Sequence, residues 1–281
     1  MEHARRPPRA GGELSRETGR WIFGRDPEGY ARGRLGYPEE VYRTLREPCG
    51  LRPGARVLEL GPGTGIATRE LLRRGLLRLL AVEADPHMAA YLRESLGPWR
   101  GRCRIVVSPF ETAPLAEGSF DLLVAATSFH WLDQARAVDR AAELLRPGGW
   151  LAVWSNLHGD RSRPNAWSRA SRPIFEDGRA RGPARRTPVA QRASPASYLD
   201  LPSALRAHGG FDPIRREVHR WKVDLSTEEA IRLFASFSDL RALPAVARRE
   251  KLRRLTELAE ERFHGRVRLA VRTPMVIARR R

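Results

Sequence analysis

The sequence predicts an α/β fold with a doubly wound, mostly parallel sheet. From Leu51 onward, short apolar runs of strand length alternate with stretches of helical periodicity. The first of these runs ends in a glycine-rich turn at 61–65. Strands that alternate with helices need crossover connections, and such connections place parallel strands side by side with helices on both faces of the sheet.

The predicted elements follow one another in a regular order. A helix at 38–47 comes first, because it begins with proline and because Val41 and Leu45, four residues apart, give it one buried stripe. The pattern then predicts strands at 56–60, 79–82, 104–107, 120–125 and 150–155, with helices at 67–74, 86–96 and 132–145. Later it predicts strands at 218–225 and 267–277, and helices at 227–236 and 243–263.

These elements divide the chain into four parts. Residues 1–20 are rich in Arg, Pro, Gly and Glu without an apolar period, which predicts a mobile tail. Residues 21–155 are predicted to form N-terminal helices and the α/β core. Residues 156–205 interrupt the alternation of strands and helices, which predicts a substrate cap or lid. Residues 206–281 complete the sheet. Pro274, inside the last strand, predicts a bulge or an edge position.

Composition narrows the classes of protein. The 281 residues are 41% hydrophobic and 30% charged, which is ordinary for a globular protein and excludes disorder throughout. No run approaches the ~18 apolar residues of a membrane helix, and the first 20 residues lack a secretory apolar core, so we expect a soluble cytoplasmic protein. The two cysteines, Cys49 and Cys103, exclude a disulfide framework, and we expect no metal site.

The positive charge is unevenly placed. The formal net charge is +18, and of the 51 basic residues only Lys222 and Lys251 are lysine. Residues 51–155 carry 13 Arg against 11 Asp and Glu, a net charge of +2, whereas residues 241–281 carry 13 Arg and Lys against 4 Glu, a net charge of +9. Because the predicted core is nearly neutral, the pattern disfavours a nucleic-acid partner.

The segment VLELGPGTG at 57–65 carries the strongest signal. A buried strand ends at a turn whose glycines let the backbone approach a ligand without an intervening Cβ. A dinucleotide fingerprint would need glycine where Ile66 stands, and a P-loop would need Gly-Lys-Ser/Thr, so the first is disfavoured and the second excluded. The second predicted strand ends at Glu83, where a carboxylate can accept two hydrogen bonds from a ribose diol.

Together these segments resemble the class I S-adenosylmethionine (SAM)-dependent methyltransferases, and within them the small-molecule type. VLELGPGTG resembles the first motif of the family, AVEADPHM the second-strand motif, and LRPGGWLAVW the fifth-strand motif. SPFETAPLAEGSFDLLVAATSFHW resembles the third and fourth strands, so the resemblance covers residues 21–155. It implies a seven-stranded Rossmann-like sheet of order 3-2-1-4-5-7-6, an antiparallel last strand, and SAM as the cofactor.

The resemblance also implies a set of cofactor-binding residues. It places the glycines of the turn against the amino-acid part of SAM, Glu83 on the ribose, Met88 beside the adenine, and Phe110 and Glu111 around the adenine ring. Tyr30 and Arg34 resemble a Y-x-x-x-R pair that closes over SAM, with the arginine facing its carboxylate. The full predicted cofactor set is Tyr30, Arg34, Glu59, Gly61, Gly63, Gly65, Glu83, Met88, Phe110, Glu111 and Thr127.

The catalytic and acceptor residues are predicted from their position beyond the strand ends. Open α/β sheets bind ligands at the carboxyl ends of their strands, where Ser128-Phe129-His130-Trp131 follows the fourth strand. His130 is the candidate base or orienting group, and packing of the following helix is the alternative. Trp131, Trp154 and Asn156 are the predicted substrate-binding residues. Aromatic faces such as those of Tyr30 and Trp131 suit a sulfonium cation.

The predicted function is methyl transfer from SAM to O, N or C of a small metabolite. The arginine-rich composition also suggests specialised, natural-product metabolism. Two alternatives stay open: an RNA methyltransferase that grips phosphate with its basic tails, and a SAM-binding protein without catalysis. The expected partner is a small-molecule substrate, with no membrane partner and an undetermined oligomeric state.

Overall fold

The computed structural model of the chain describes residues 23–160, 162–177 and 200–281. The predicted tail at 1–20, residues 178–199 of the predicted cap, and Tyr198 within it, lie outside the described residues. In the described part of the chain, no helix combines the length and apolar character needed to cross a membrane.

Helices and strands alternate through most of the described chain. The helices are α1 (Pro27–Gly33), α2 (Glu39–Arg46), α3 (Ile66–Arg73), α4 (Pro86–Ser95), α5 (Gln134–Leu144), α6 (Ala166–Glu176), α7 (Leu201–His208), α8 (Thr227–Ala235), α9 (Ser238–Arg241) and α10 (Ala245–Phe263). The strands are β1 (Val57–Leu60), β2 (Leu79–Glu83), β3 (Cys103–Val107), β4 (Phe120–Ala126), β5 (Leu145–Trp154), β6 (Leu157–His158), β7 (Phe211–Ser226) and β8 (Arg266–Arg280).

The strands form one mostly parallel sheet, which confirms the predicted α/β class. Strands β3, β2, β1, β4 and β5 lie side by side in that order and run parallel. Antiparallel β8 pairs with β5 and β6 on one side and with β7 on the other. Among the described residues, the sheet has eight strands rather than seven because β6 adds a two-residue strand; without it the order is the predicted one.

Helices cover both faces of the sheet. On one face, α5 and α7 bury Val138, Ala141 and Leu205 against the strands. On the other face, α2 and α3 bury Leu45 and Leu71. Every residue of β1 is buried, because a parallel strand between two helical layers contacts apolar neighbours on both sides.

The described part of the predicted cap is anchored to the C-terminal helices. In α6, the ring of Trp167 stacks on that of Phe234 from α8, with centroids 5.9 Å apart. Phe175 contacts the same ring edge-on, and Arg254 of α10 pairs with Asp177 at 2.6 Å. The aromatic residues of this segment therefore hold it to α8 and α10.

Pro274 occupies neither a bulge nor an edge strand, so that expectation is wrong. It pairs in register with Val218 of β7, and β8 lies inside the sheet. The carbonyl of Pro274 accepts a hydrogen bond from the Ser155 N–H at 3.3 Å, between the residues of β8 that pair with β5 and those that pair with β6. In a strand, the nitrogen and the carbonyl of one residue face the same neighbour, so the Pro274 nitrogen also faces Ser155. The missing N–H therefore faces Ser155, just beyond the last residues that pair between β5 and β8.

Candidate active site

The glycine turn lies at the carboxyl ends of β1, β2 and β4. The N–H of Gly61 donates to the carbonyl of Val82 at 2.8 Å, which ties the turn to the end of β2. Gly61 has φ +56°, and a Cβ there would lie 2.7 Å from the Cβ of Ser128. Glycine is therefore required at this position, because its φ is positive and because a Cβ would collide with Ser128.

Gly65 begins the next helix instead of lining the cavity. It is the N-cap of α3 with φ +84°, and a Cβ would lie 2.3 Å from the Cδ1 of Leu92. The absence of a Cβ at Gly65 therefore allows close packing of α3 against α4.

Glu83 closes the turn from the other side. Its Oε2 accepts the N–H of Gly63 at 2.9 Å, and its Oε1 accepts the N–H of Asp85 at 3.0 Å. The side chain is buried, and burial raises the pKa of the carboxyl, while the two backbone N–H groups act in the opposite direction. Glu83 therefore holds the turn and also presents its carboxylate to the adjoining cavity.

A cavity of about 720 Å³ opens beside this turn. We refer to it as the first cavity. Its lining includes eight residues of the predicted set, which come from the N-terminal segment, the glycine turn and the ends of three strands: Tyr30, Gly61, Gly63, Glu83, Met88, Phe110, Thr127 and Trp131.

Three aromatic rings form one wall of the first cavity. The ring of Phe23 contacts that of Tyr30 at 4.9 Å and that of Trp131 at 6.0 Å, both edge-on. Phe23 was not predicted, because no local pattern marks it, and the same is true of Ser108 after β3. Ser108 lies within the segment that resembles the third-strand motif, so its position after the strand is the available signal.

A second, smaller cavity of about 250 Å³ lies on the other side of Tyr30 and Thr127, which line both spaces. Arg34, Tyr37, Asn156 and His158 line this second cavity only. The structure therefore brings the predicted Tyr30–Arg34 pair together, but Arg34 faces the second cavity and not the first.

Thr127, which lines both cavities, has a strained backbone conformation. Its φ is +58°, a conformation that β-branched residues rarely adopt. The Thr127 hydroxyl lies 2.9 Å from the Tyr37 hydroxyl and 3.3 Å from the Ser155 hydroxyl. Burial raises the pKa of Tyr37. Strain of this kind concentrates at functional sites, which agrees with the central position of Thr127.

Asn156 lines the second cavity with an amide that is already engaged. Its Nδ2 donates to the carbonyl of Gly36 at 2.8 Å, and its Oδ1 accepts from the Thr273 hydroxyl at 2.7 Å. The side chain therefore ties the segment before α2 to the sheet, and little of its hydrogen-bonding capacity is left for a substrate.

Glu59 lies in the interior, away from both cavities, contrary to its predicted place in the cofactor set. Its Oε2 accepts the Thr68 hydroxyl at 2.7 Å, which ties β1 to α3. The side chain is fully buried, and burial raises the pKa of its carboxyl to about 7. The acid before the glycine turn therefore orients the helix that follows the turn.

Trp154, His130 and Glu111 also differ from their predicted places. Trp154 is fully buried in the core, edge-on to Tyr37 at 5.7 Å, because the end of β5 is still covered by helices. His130 is buried beside Trp131 and lines neither cavity; burial lowers its pKa to about 3. Glu111 follows the buried Phe110 in a 3₁₀ turn and is not among the cavity-lining residues.

The residues of the first cavity fit SAM. The glycine turn leaves room for close backbone approach, Met88 and Phe110 supply apolar faces, and Glu83 supplies a carboxylate at the end of β2. A nucleoside needs this combination of apolar faces for its base and a hydrogen-bond acceptor for its ribose.

Comparison with known proteins finds a family match and several relatives. The family described as "Methyltransferase domain" matches residues 58–153. An uncharacterised methyltransferase of Mycobacterium tuberculosis is 33% identical over 237 residues, which cover 84% of each chain. An uncharacterised methyltransferase of Schizosaccharomyces pombe is 26% identical over 230 residues, which cover 82% of this chain and 83% of the relative.

A solved structure shares the fold. It is the phospholethanolamine N-methyltransferase 2 of Haemonchus contortus in complex with phosphomonomethylethanolamine and S-adenosylhomocysteine. It superposes with a TM-score of 0.55 at 13% identity, over 95% of this chain and 60% of that one. With the relatives and the matched domain, the sheet order and the first cavity lead to one conclusion: the chain belongs to the class I SAM-dependent methyltransferases.

Proposed function

We propose that this methyltransferase acts on O, N or C of a small metabolite. The observation that supports this is the lining of the site: the rings of Phe23, Tyr30 and Trp131 wall the first cavity, which shares Tyr30 and Thr127 with the second cavity. A concave site lined mostly by apolar and aromatic side chains suits a small ligand. A role in natural-product metabolism and a cytoplasmic location are parts of the same proposal; the buried free thiols Cys49 and Cys103 are compatible with a reducing compartment.

In this proposal, the residues of the first cavity bind and orient the cofactor. Gly61 and Gly63 admit its amino-acid part, Glu83 accepts hydrogen bonds from the ribose, and Met88 and Phe110 enclose the adenine. SAM supplies an electrophilic methyl group on a sulfonium. The chain contributes alignment and exclusion of water, because positioning of this kind can supply roughly 7–11 kcal/mol of the barrier at best.

The aromatic rings of the first cavity suit the binding of a sulfonium cation. The Tyr30 and Trp131 rings line the first cavity and can attract a sulfonium by about 0.5–2 kcal/mol. His130 is neutral at physiological pH. Trp131, the next residue in the chain, lines the first cavity, whereas His130 does not. We therefore propose an orienting role for the Ser128–Trp131 turn and assign no base to His130.

The experiment that tests the function uses the methyl label. The purified protein is incubated with SAM labelled in the methyl group and with metabolite extracts, and labelled products are read by mass spectrometry. We expect a labelled small molecule whose formation is insensitive to added salt. Label found only in RNA, with activity that falls steeply with salt, would replace this proposal with the RNA alternative.

A further inference from the structure

Three arginines stand in register at the end of the sheet opposite the two cavities. Arg56, Arg78 and Arg102 come directly before the first residues of β1, β2 and β3. The registers of β1 with β2 and of β2 with β3 align these first residues, so the arginines lie side by side at one level. Neighbouring strands are about 4.8 Å apart, which makes the row roughly 10 Å long. We refer to this end, where the parallel strands begin, as the amino edge and to the three residues as the arginine row.

The acids near the arginine row neutralise only part of its charge. Asp121, near the start of β4, pairs with Arg146 of β5 at 2.5 Å and with Arg56 at 3.8 Å, so one carboxylate serves two arginines. In the described part of the chain, Arg78 and Arg102 pair with no carboxylate. The amino edge of the sheet therefore carries a surplus of positive charge.

The arginine row favours an anionic partner. Like charges on adjacent strands repel each other, and the strands are closer together than the Debye length of about 8 Å at physiological salt. Arg78 and Arg102 are exposed, and the Arg56 side chain is 59% exposed, so all three can reach a partner in solution. Phosphate groups would relieve the repulsion, because a guanidinium can donate two parallel hydrogen bonds to one phosphate.

The sequence conceals this surplus of charge. Residues 51–155 have a net charge of only +2. In the fold, however, acids such as Glu83 and Asp85 lie at the carboxyl end of β2, whereas the arginine row lies at the opposite end of the same sheet. The low net charge of the core therefore does not argue against an anionic partner at the amino edge.

Apolar side chains accompany the arginines at this edge. Leu77 is 51% exposed directly before Arg78, and its N–H donates to the carbonyl of Pro53 at 3.2 Å, which fixes its position. The 3₁₀ turn before β3 adds the half-buried Trp99 and the exposed Arg100. Apolar and aromatic side chains among basic residues are typical of surfaces that bind at a membrane interface. A nucleic-acid backbone would use the arginines but would leave Leu77 in water.

We propose that the amino edge is a docking surface for an anionic lipid membrane. The arginine row contacts the lipid phosphates, and Leu77 enters the boundary between headgroups and acyl chains. The lack of a long apolar run, which led to the expectation of no membrane partner, does not bear on a surface contact of this kind. The inference goes beyond the proposed function, because both cavities lie at the other end of the sheet and stay open to ligands from solution.

The test measures binding of the full-length protein to lipid vesicles. Vesicles of phosphatidylcholine, with and without phosphatidylglycerol, are separated from free protein by flotation, and the bound fraction gives a partition coefficient. We expect binding to the anionic vesicles only, with a coefficient that falls as salt is added. Charges outside the described residues are common to wild type and all variants, so they cancel in the comparisons.

The first comparison concerns the arginine row. Each arginine at an anionic surface strengthens binding about fivefold, so we expect Arg78→Gln/Arg102→Gln to lower the partition coefficient about 25-fold. Arg248→Gln/Arg249→Gln is the matched control. It removes the same charge from α10, which leads into the opposite end of β8. We expect this control to bind the vesicles nearly as wild type does.

The second comparison concerns the apolar contact. We expect Leu77→Ser to bind severalfold more weakly, with a loss that does not depend on salt, because salt does not screen apolar burial. Val246→Ser is the control, since Val246 is 70% exposed on α10, and it should bind as wild type does. Calorimetry with S-adenosylhomocysteine should give wild-type affinity in every variant, which would show that each is folded and that the docking surface is separate from the cavities.

Three results would overturn the proposal. One is no binding of wild type to the anionic vesicles. Another is an equal loss in the two double variants, which would attribute binding to total charge. The third is tighter binding of a single-stranded RNA oligonucleotide that needs the arginine row and not Leu77, which would assign the row to nucleic acid. The proposed function fails separately, when no labelled small molecule forms, because vesicle binding is measured without SAM or an acceptor.

Discussion

Glu83 accepts a hydrogen bond from the backbone N–H of Gly63 at 2.9 Å, so the end of β2 and the glycine turn are held as one unit. The same carboxylate lines the first cavity. A single side chain thus sets the shape of the turn and faces the proposed ribose position. Loss of this side chain affects the turn and the ligand contact together.

The first prediction concerns this carboxylate. Glu83→Ala removes the acceptor for Gly63 and the proposed ribose contact, so we expect affinity for S-adenosylhomocysteine to fall more than tenfold, about 1.4 kcal/mol. Calorimetry measures the change. Glu94→Ala, on the exposed face of α4, is the control and leaves the affinity unchanged. Wild-type affinity in Glu83→Ala would refute the role of Glu83.

The second prediction separates backbone strain from crowding at Gly61. Gly61→Ala places a Cβ 2.7 Å from Ser128, whereas Gly118→Ala, at nearly the same φ of +58°, has no atom within 4 Å of the added carbon. Both variants lose about 1–2 kcal/mol of unfolding free energy from the left-handed backbone. We expect Gly61→Ala to lose more and also to lose cofactor binding. Equal losses in denaturant unfolding, with binding intact in both, would contradict the close approach.

The third prediction uses the raised pKa of Glu59. The folded state favours the protonated carboxyl up to about pH 7, whereas the unfolded chain ionises near pH 4.5. The unfolded state therefore binds fewer protons between these values, and stability falls as pH rises from 4.5 to 7, by about 3 kcal/mol. Glu59→Gln keeps an acceptor for Thr68 and removes this fall. Urea unfolding at pH 5 and pH 8 compares the two proteins, and parallel pH dependence would show that Glu59 is not responsible.

The fourth prediction concerns His130. Burial lowers its pKa to about 3, so its ring stays neutral between pH 5 and 8. NMR spectra recorded across this range, with the signal assigned by a His130→Asn variant, should show no titration of His130. Methyl transfer by that variant should keep the pH profile of wild type. A titration midpoint near 6.5, or loss of one limb of the profile, would restore His130 as the candidate base.

Much of the sheet was predictable because its strands are short, apolar and buried on both faces. The ends of β1, β2 and β4 carry the glycine turn, Glu83 and Thr127 at the predicted edge. The outer strands were harder, because β7 begins at Phe211 and its exposed positions carry charged residues such as Arg215, which conceal the strand pattern. Helix α6 was also missed, since Pro173 interrupts a segment rich in polar residues.

The site was predictable where residues follow one another along a motif, and not where they meet through the fold. Phe23 and Tyr37 come from the N-terminal segment and reach the cavities only because α1 and α2 cover the strand ends. The surroundings of Glu59, the acid of the glycine motif, were not predictable for the same reason. Whether Glu59 faces a ligand or Thr68 depends on the direction of its side chain, which the motif does not determine.

The position of β8 has a consequence for how the protein is made. This strand is the last described element to leave the ribosome, yet it lies between β5 and β7 and bonds to both. Until it arrives, β5 presents an unpaired edge, and such edges pair with other chains. The nascent chain is therefore exposed to aggregation until β8 has paired with β5, and a chaperone that covers the β5 edge would act in this interval.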